Sequence, residues 1–457
     1  MIAMAECKIL ILAAGEGTRM KSDIPKVLHT ILGKPMLLYV IDMAKAAGAC
    51  EVAVVVGKNA ARIAEVTDIP SYLQTEQLGT GHAVLSAADF LRGDENDHVV
   101  VLCGDTPLLT AQTIRELVEQ HEREGNDATV MTAVLDNPTG YGRILRDSVG
   151  RFLRNVEQRD ASEEEKNIRE VNTGVYCFRA GALLASLSQI QNHNAQREYY
   201  LTDVPGILRT NGRPVGVKQA EDFSEFLGVN TKVQLAEAAL VMQKRINAAH
   251  MLDGVIIPDP AAAYIGPDAV IGVDTVIWPG CLIEGRTTIG AHCEIGPQTR
   301  LTDMLVGDRV VMQNSVALEA SVGDDSVVGP FAYIRPHSEI GQRVKVGDFV
   351  EVKNAKIGDG TKASHLTYIG DADVGENVNF GCGTVTVNYD GRSKARTTIE
   401  DGAFVGCNTN LIAPVTVGAN AYIAAGSTVT EDVPSGNLGI ARARQVNKAE
   451  WKDKRKS

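Results

Sequence analysis

Three groups of residues in this 457-residue chain have types and spacings suited to chemistry. The first combines the turn Ala14-Gly15-Glu16-Gly17-Thr18-Arg19, then Lys26 behind a stiff Pro25, and Asp105 at the end of the apolar run Val99-Val100-Val101-Leu102-Cys103-Gly104. A Gly-rich turn directly after a buried strand exposes converging backbone N–H groups, which is how α/β proteins hold phosphate. Arg19 and Lys26 add positive charge. A carboxylate at a strand end, in the same crevice, can ligate Mg²⁺, an ion that usually takes one or two protein oxygens beside substrate phosphate. The second group is Arg335 and Lys353, and the third is His365, a residue type whose unperturbed side chain titrates near working pH and so suits general base work.

Each group also has a plainer reading. A lone G-x-G turn can be only a tight connection. Asp105 can cap a helix starting near Thr110. An outward His is usually just solvated. The turn is neither of the two best-known phosphate motifs: Met20 stands where a dinucleotide fold wants its third Gly, and no Gly-Lys-Ser/Thr follows. Ser22-Asp23-Ile24-Pro25 also argues against a helix opening at once.

Composition narrows the classes. Hydrophobic residues make up 44% and aromatics 5%, and no run approaches membrane-span length, so a soluble protein without membrane insertion is expected. A net charge of −12 argues against nucleic-acid partners, leaving any anionic ligand to local cations. Eight scattered Cys, with no C-x-x-C, point to reduced thiols in a cytoplasm.

The elements that must position these groups fall into two kinds. Lys8 to Ala13, Glu51 to Val56 and His98 to Cys103 read as buried strands; Pro35 opens a helix to about Ala47, which Gly48 stops, and Gly79 to Leu91 includes another. This βαβ order implies a mostly parallel sheet covered by helices. Thr231 to Met251 reads as a long helix, either a rigid linker or the last piece of the first core.

From Tyr264 to Thr430 a different rule holds: an aliphatic residue returns every six positions. Ile265, Ile271, Ile277, Ile283, Ile289, Ile295 and Leu301 form one run; Val316, Val322, Val328, Ile334, Ile340, Val346 and Val352 another; Ile399, Val405, Leu411, Val417, Ile423 and Val429 a third. Six matches neither a helix nor simple strand alternation, and it is the hexapeptide signature of a parallel β-helix. Three hexads make one coil of a three-sided prism, so residues 18 apart are expected to stack on the same side. Gly after the aliphatic residue is expected to tolerate corner dihedrals. Arg335 and Lys353 take that Gly place one coil apart, with backbones about 4.8 Å apart. Two cations that close repel by about 3 kcal/mol at an effective dielectric of 20, so they either splay into solvent or hold an anion such as a sugar phosphate. His365 lies two positions past the core residue Ala363 and should face outward. After Phe380-Gly381 the repeat breaks, and Thr384 to Thr397 is an excursion that adds nothing to the core and so is expected to contact something else. The tail from Lys448 to Ser457 is basic and expected to be mobile.

Leu12-Ala13-Ala14-Gly15-Glu16-Gly17-Thr18-Arg19-Met20 with Pro25-Lys26, then Gln74, Gln77-Leu78-Gly79-Thr80-Gly81-His82-Ala83, then Gly104-Asp105, resemble the sugar-1-phosphate nucleotidyltransferases. The hexads resemble the left-handed β-helix of hexapeptide acyltransferases. Their union resembles, over essentially the whole chain, a bifunctional family whose members acetylate glucosamine-1-phosphate with acetyl-CoA and transfer uridylyl from UTP to N-acetylglucosamine-1-phosphate, toward peptidoglycan and lipopolysaccharide. The resemblance implies an α/β, Rossmann-like domain over 1–232, a helical linker over 233–253, and a left-handed parallel β-helix over 254–457, assembled as a homotrimer.

It also assigns residues. Leu12, Ala13, Ala14, Gly15, Arg19, Lys26, Gln74, Gly79, Thr80, Cys103, Gly104, Asp105, Gly142, Glu157, Asn172 and Asn230 would line the nucleotide-sugar site, with Asp105 and Asn230 holding Mg²⁺. Cys103 stands where Tyr is common. In the β-helix, His365 would be the general base and Arg335, Lys353, Tyr368 and Asn379 would hold the acetyl acceptor. Cys382, Asn388, Tyr389, Cys407, Ala425 and Arg442 would contact acetyl-CoA, although Cys382 and Cys407 replace the usual Ala and Ser. Two other readings stay open: a nucleotidyltransferase whose β-helix only assembles subunits, and a non-enzymatic scaffold.

Overall fold

The computed structural model describes residues 4, 7–449 and 451, so most of the basic tail lies outside the described residues. The chain divides into two compact units, Met1–Met242 and Gln243–Ser457.

The first unit is built on a sheet of nine strands: β1 (Cys7–Leu12), β2 (Glu51–Val56), β3 (Ser71–Leu73), β4 (His98–Cys103), β5 (Ala128–Val134), β6 (Arg143–Arg146), β7 (Phe152–Val156), β8 (Glu170–Arg179) and β9 (Val215–Gln219). The order is β9, β5, β8, β4, β1, β2, β3, with β6 and β7 attached as a hairpin to β8. β1 runs parallel to both β4 and β2, whereas β8 is antiparallel to β4 and β5. The expected mostly parallel sheet is therefore interrupted by one long antiparallel strand. Ile9, Leu10 and Ile11 of β1 and Val99 to Leu102 of β4 are fully buried, as central strands covered on both faces must be. The helix over Met36–Ala47 ends at Gly48, whose φ of 97° lies where a side chain would be strained. The segment expected to hold one helix after Gly79 holds two short ones, Thr80–Ser86 and Ala88–Leu91.

A helix over Lys232–Leu252 follows. In the second unit, the amides of Gln243 and Asn247 donate to the carbonyl of Ala263 at 2.7 and 2.9 Å, tying the last turns of the helix to the first coil. Among the described residues no helix is long and apolar enough to cross a membrane.

Over 264–439 the second unit is a left-handed parallel β-helix, whose short strands form three sheets of ten, nine and ten. Its core is one hydrophobic cluster of mostly aliphatic side chains from Val255 to Val433. The expected phase fails at one place: Val316 is 37% exposed and Ala317 is the buried residue. Leu301 pairs with Ala317, and Val352 with Ile369, so some coils are shorter than 18 residues. The expected reason for the glycines also changes. A Cβ at Gly272 would lie 2.6 Å from the backbone of Ala291, and one at Gly358 2.5 Å from that of Gly375; what excludes a side chain is the next coil. Left-handed dihedrals do occur at Gly296 and Gly329, which follow their aliphatic residues as expected, but most fall on other positions, among them Asp274, His292, Asp325, Phe331 and Asn377.

Candidate functional site

A cleft of about 340 Å³ opens at the carboxyl ends of β1 and β4. Leu12, Ala13, Ala14, Gly15, Lys26, Gln74, Gly79, Thr80, Cys103 and Asp105 line it, so ten of the sixteen expected nucleotide-sugar residues converge from four stretches of chain. Gly17 seats Lys26: its φ is 64°, and a Cβ there would lie 2.5 Å from Lys26 Cβ. Gly15 faces open space, as a backbone that must admit a ligand should.

The Lys26 ammonium pairs with the Asp105 carboxylate and donates to Asn230 Oδ1 at 3.1 Å. Arg19 donates to the same Asn230 oxygen at 2.9 Å. The alternative role for Asp105 is not what is seen, because Thr110 caps the helix over Ala111–Glu124 through its own hydroxyl. Two hard oxygens, from Asp105 and Asn230, thus converge on one cation, and that donor set fits an oxygen-seeking divalent ion that keeps most of its water. Burial, with the Asp105 charge second, pushes the Cys103 thiol up to about 12, so it stays protonated and polarisable in the cleft wall.

The other expected residues are not among those lining this cleft, and Glu157 lines a second one with Asp160, Tyr200 and Asp203. Gly104 N donates to Leu12 O at 2.9 Å and locks β4 to β1. Asn172 N donates to Gly142 O at 2.9 Å, and Glu157 accepts from Asn155 at 2.9 Å beside them. Asp203 lies near Glu157, and burial with the charges of Glu157 and Asp160 raises it to about 6.

In the β-helix the register arranges the expected residues in columns. Val346, Ala363, Phe380, Val405 and Ile423 are paired coil to coil. The residues two positions further on are Asp348, His365, Cys382, Cys407 and Ala425: four expected site residues and one that the sequence reading did not single out. His365 Nδ1 lies 2.6 Å from Asp348 Oδ1, and that bond, before any other cause, holds the Asp348 carboxyl below the usual range. Arg442 closes the column, donating to Ala425 O at 2.8 Å. Asn379 sits on the same sheet, paired with Lys362.

Arg335, Lys353 and Tyr368 lie on the neighbouring sheet, across the corner that Leu366 and Thr367 turn. Arg335 does not simply splay outward: it donates to Glu351 at 2.8 Å. Lys353 Nζ is 3.9 Å from Asp371, which also accepts from Asn354 at 2.5 Å and from Asn388. Asn388 also reaches the Tyr368 hydroxyl at 3.5 Å. The excursion is narrower than expected, because Val385–Val387 still pairs as a coil strand; the loop proper is 388–396, closed by a bridge between Tyr389 and Lys394, with Tyr389 56% exposed.

Sequence reading passed over Asp348, Asp371, Glu351, Gln77 and Glu198. Gln77 had a signal, since it stands in the Gln77-Leu78-Gly79-Thr80 motif; it donates to Ala14 O at 2.6 Å and braces the turn. The aspartates had one too, visible only when the repeat is folded: each stacks one coil from an expected site residue. A separate trio, His98, His121 and Cys177, is buried in the first core. Burial lowers His121 to about 3, so its ring is neutral, and Nδ1 bonds the Thr129 hydroxyl at 2.9 Å.

Comparison with known proteins agrees with this division. Residues 9–169 match the MobA-like NTP transferase domain, 264–358 the GMPPB C-terminal domain, and 396–431 the bacterial transferase hexapeptide, six repeats. A Brevibacillus brevis protein called bifunctional protein GlmU is 53% identical over 455 residues, covering 99% of this chain and 98% of its own. Proteins of the same name from a Geobacillus species and from Clostridium acetobutylicum are 53% and 52% identical, each covering at least 97% of both chains.

Proposed function

We infer from two facts, that this chain belongs to the family of bifunctional GlmU proteins and that its candidate site residues fall into two separate groups, that it performs two successive transfers in UDP-N-acetylglucosamine synthesis. The β-helix acetylates glucosamine-1-phosphate with acetyl-CoA. The first unit then transfers uridylyl from UTP to N-acetylglucosamine-1-phosphate, releasing pyrophosphate. The product would feed peptidoglycan and lipopolysaccharide. The eight cysteines, all free, suit a cytoplasmic enzyme.

For uridylyl transfer, the observation that carries the reading is the meeting of Asp105 and Asn230 on Lys26, which lines one cleft with Asp105 and the Gly15 turn. The backbone at Gly15 and the ammonium of Lys26 would hold the triphosphate, with Arg19 beside them, while Gln74, Gly79 and Thr80 bound the base side. The sugar-phosphate oxygen attacks the α-phosphorus in line and pyrophosphate leaves, so catalysis is positioning and charge stabilisation without a covalent intermediate. Asp105 and Asn230 would hold Mg²⁺, which supplies positive charge to the phosphate oxygens when bound.

For acetyl transfer the supporting observation is His365, outward on its strand with a carboxylate at Nδ1. The amine nitrogen of the sugar attacks the thioester carbon; its proton passes to His365 Nε2, the C–N bond forms, the C–S bond breaks, and the departing thiolate takes the proton back from the imidazolium. Arg335, Lys353, Tyr368 and Asn379 would orient the sugar phosphate. Cys382, Asn388, Tyr389, Cys407, Ala425 and Arg442 would run along the coenzyme. A prism side is too shallow to enclose a sugar, so three copies packed by their flat sides would complete the grooves.

The test is a double dissociation in the full-length protein. Asp105→Ala should abolish uridylyl transfer and keep acetyl transfer, and His365→Ala should do the reverse. Loss of both activities in either variant, with the fold intact, would refute the two-site assignment.

A further inference from the structure

We propose that Asp348 is the positioning residue of the acetyl-transfer site, accepting the Nδ1 hydrogen of His365 and so presenting Nε2 as the bare, outward nitrogen. The proposal rests on the reading of His365 as the base, and adds to it a residue that acts through the ring.

The geometry is built from the backbone upward. In the parallel pairing of Lys345–Asp348 with Lys362–His365, Asp348 stands directly opposite His365. Their strands approach so closely at this rung that a Cβ on Gly347 would lie 2.0 Å from Ser364 O. A side chain there would force the strands apart and lengthen the bond next to it. Beyond the imidazole, Leu366 adopts a φ of 45° and its N–H donates to Asp348 O at 2.9 Å. The Thr367 hydroxyl donates to His365 O at 2.7 Å. The backbone of His365 is therefore fixed on both sides, and its ring is 2.6 Å from the carboxylate.

An ionised carboxylate can only accept, so the hydrogen must sit on Nδ1 and the lone pair on Nε2. Lys345, on the strand of Asp348, helps to keep that carboxylate charged. On the far side of His365 the next rung presents Cys382, which brings no competing carboxylate. During the reaction Asp348 does not take the proton; it holds the ring in one tautomer and stabilises the imidazolium once Nε2 has accepted.

Asp348→Ala in the full-length protein should lower kcat for acetyl transfer on the order of tenfold to a hundredfold, with little change in KM for either substrate. Asp348→Asn keeps the shape, but its uncharged amide can also donate to Nδ1, so it should not restore the rate. Uridylyl transfer, measured on the same samples, reports the fold of the first unit. ¹⁵N NMR of labelled imidazoles, with His365 assigned by its Ala variant, should find the hydrogen on Nδ1 in the unmodified protein. A wild-type kcat in Asp348→Ala beside an inactive His365→Ala would overturn the proposal and leave the base intact, as would an Nε2–H tautomer in the unmodified protein. Normal acetyl transfer by His365→Ala would instead overturn the reading beneath it.

Discussion

Lys26 and Asp105, 79 residues apart in sequence, form an ion pair in the lining of the first unit's cleft, and the same ammonium bonds Asn230. The lysine is thus held at the point where cationic charge is needed, with little freedom to lose when phosphate arrives. Replacing Lys26 by Ala should reduce kcat for uridylyl transfer on the order of a hundredfold while acetyl transfer is unchanged. Steady-state assays of both reactions, with and without EDTA, check this; EDTA should stop only the first.

Arg335 and Lys353 each face a carboxylate, Glu351 and Asp371, so an arriving phosphate must share or displace those partners. Arg335→Ala or Lys353→Ala should raise KM for glucosamine-1-phosphate about tenfold to a hundredfold. KM for acetyl-CoA and the uridylyl reaction should not move. Equal KM values in all three proteins would show that these charges are a solvated face.

Asp203 carries a pH signature. Its carboxyl is raised from 3.8 to about 6 in the folded protein, chiefly by burial. Between those values the folded state binds a proton that the unfolded state has lost, so this group's contribution to stability is greatest below about pH 4 and is lost as pH rises through 6. Asp203→Asn removes the titration. Thermal melts from pH 4 to pH 7 should therefore show the variant gaining on the wild type as pH rises.

Gly358 is excluded from carrying a side chain by the backbone of the next coil, not by its own dihedral. Gly358→Ala should destabilise the β-helix by about 2 kcal/mol, a typical overpacking cost. Asn420→Gly, at a corner with a φ of 56°, should be tolerated far better. Denaturant unfolding monitored in the second unit separates the two.

Much of the fold was legible because its signals are local. β2 and β4 fall where their β-branched runs stand, and Gly48 stops its helix. All but one of the residues that the hexad runs marked turn inward, and ten of the expected residues converge on one cleft. What escaped was whatever depends on stacking. Val316 and Ala317 are both apolar, so only the shortened coils decide which turns inward. Asp348 looks like any loop carboxylate until the coil brings it opposite His365, and Asp371 until Lys353 and Asn388 close around it. The antiparallel course of β8 is invisible in its composition, since a central strand buried on both faces reads the same in either direction.

The column from Asp348 through His365, Cys382 and Cys407 to Ala425 advances by one strand spacing per residue, about 4.8 Å. A ligand lying along it is measured as on a ruler, each coil being a graduation that carries one side chain. Inserting or deleting a whole coil translates everything beyond it without altering any contact within the remaining rungs. Such an architecture can retune the length of molecule it accepts while its chemistry stays fixed, which a pocket closed on all sides cannot do without being rebuilt.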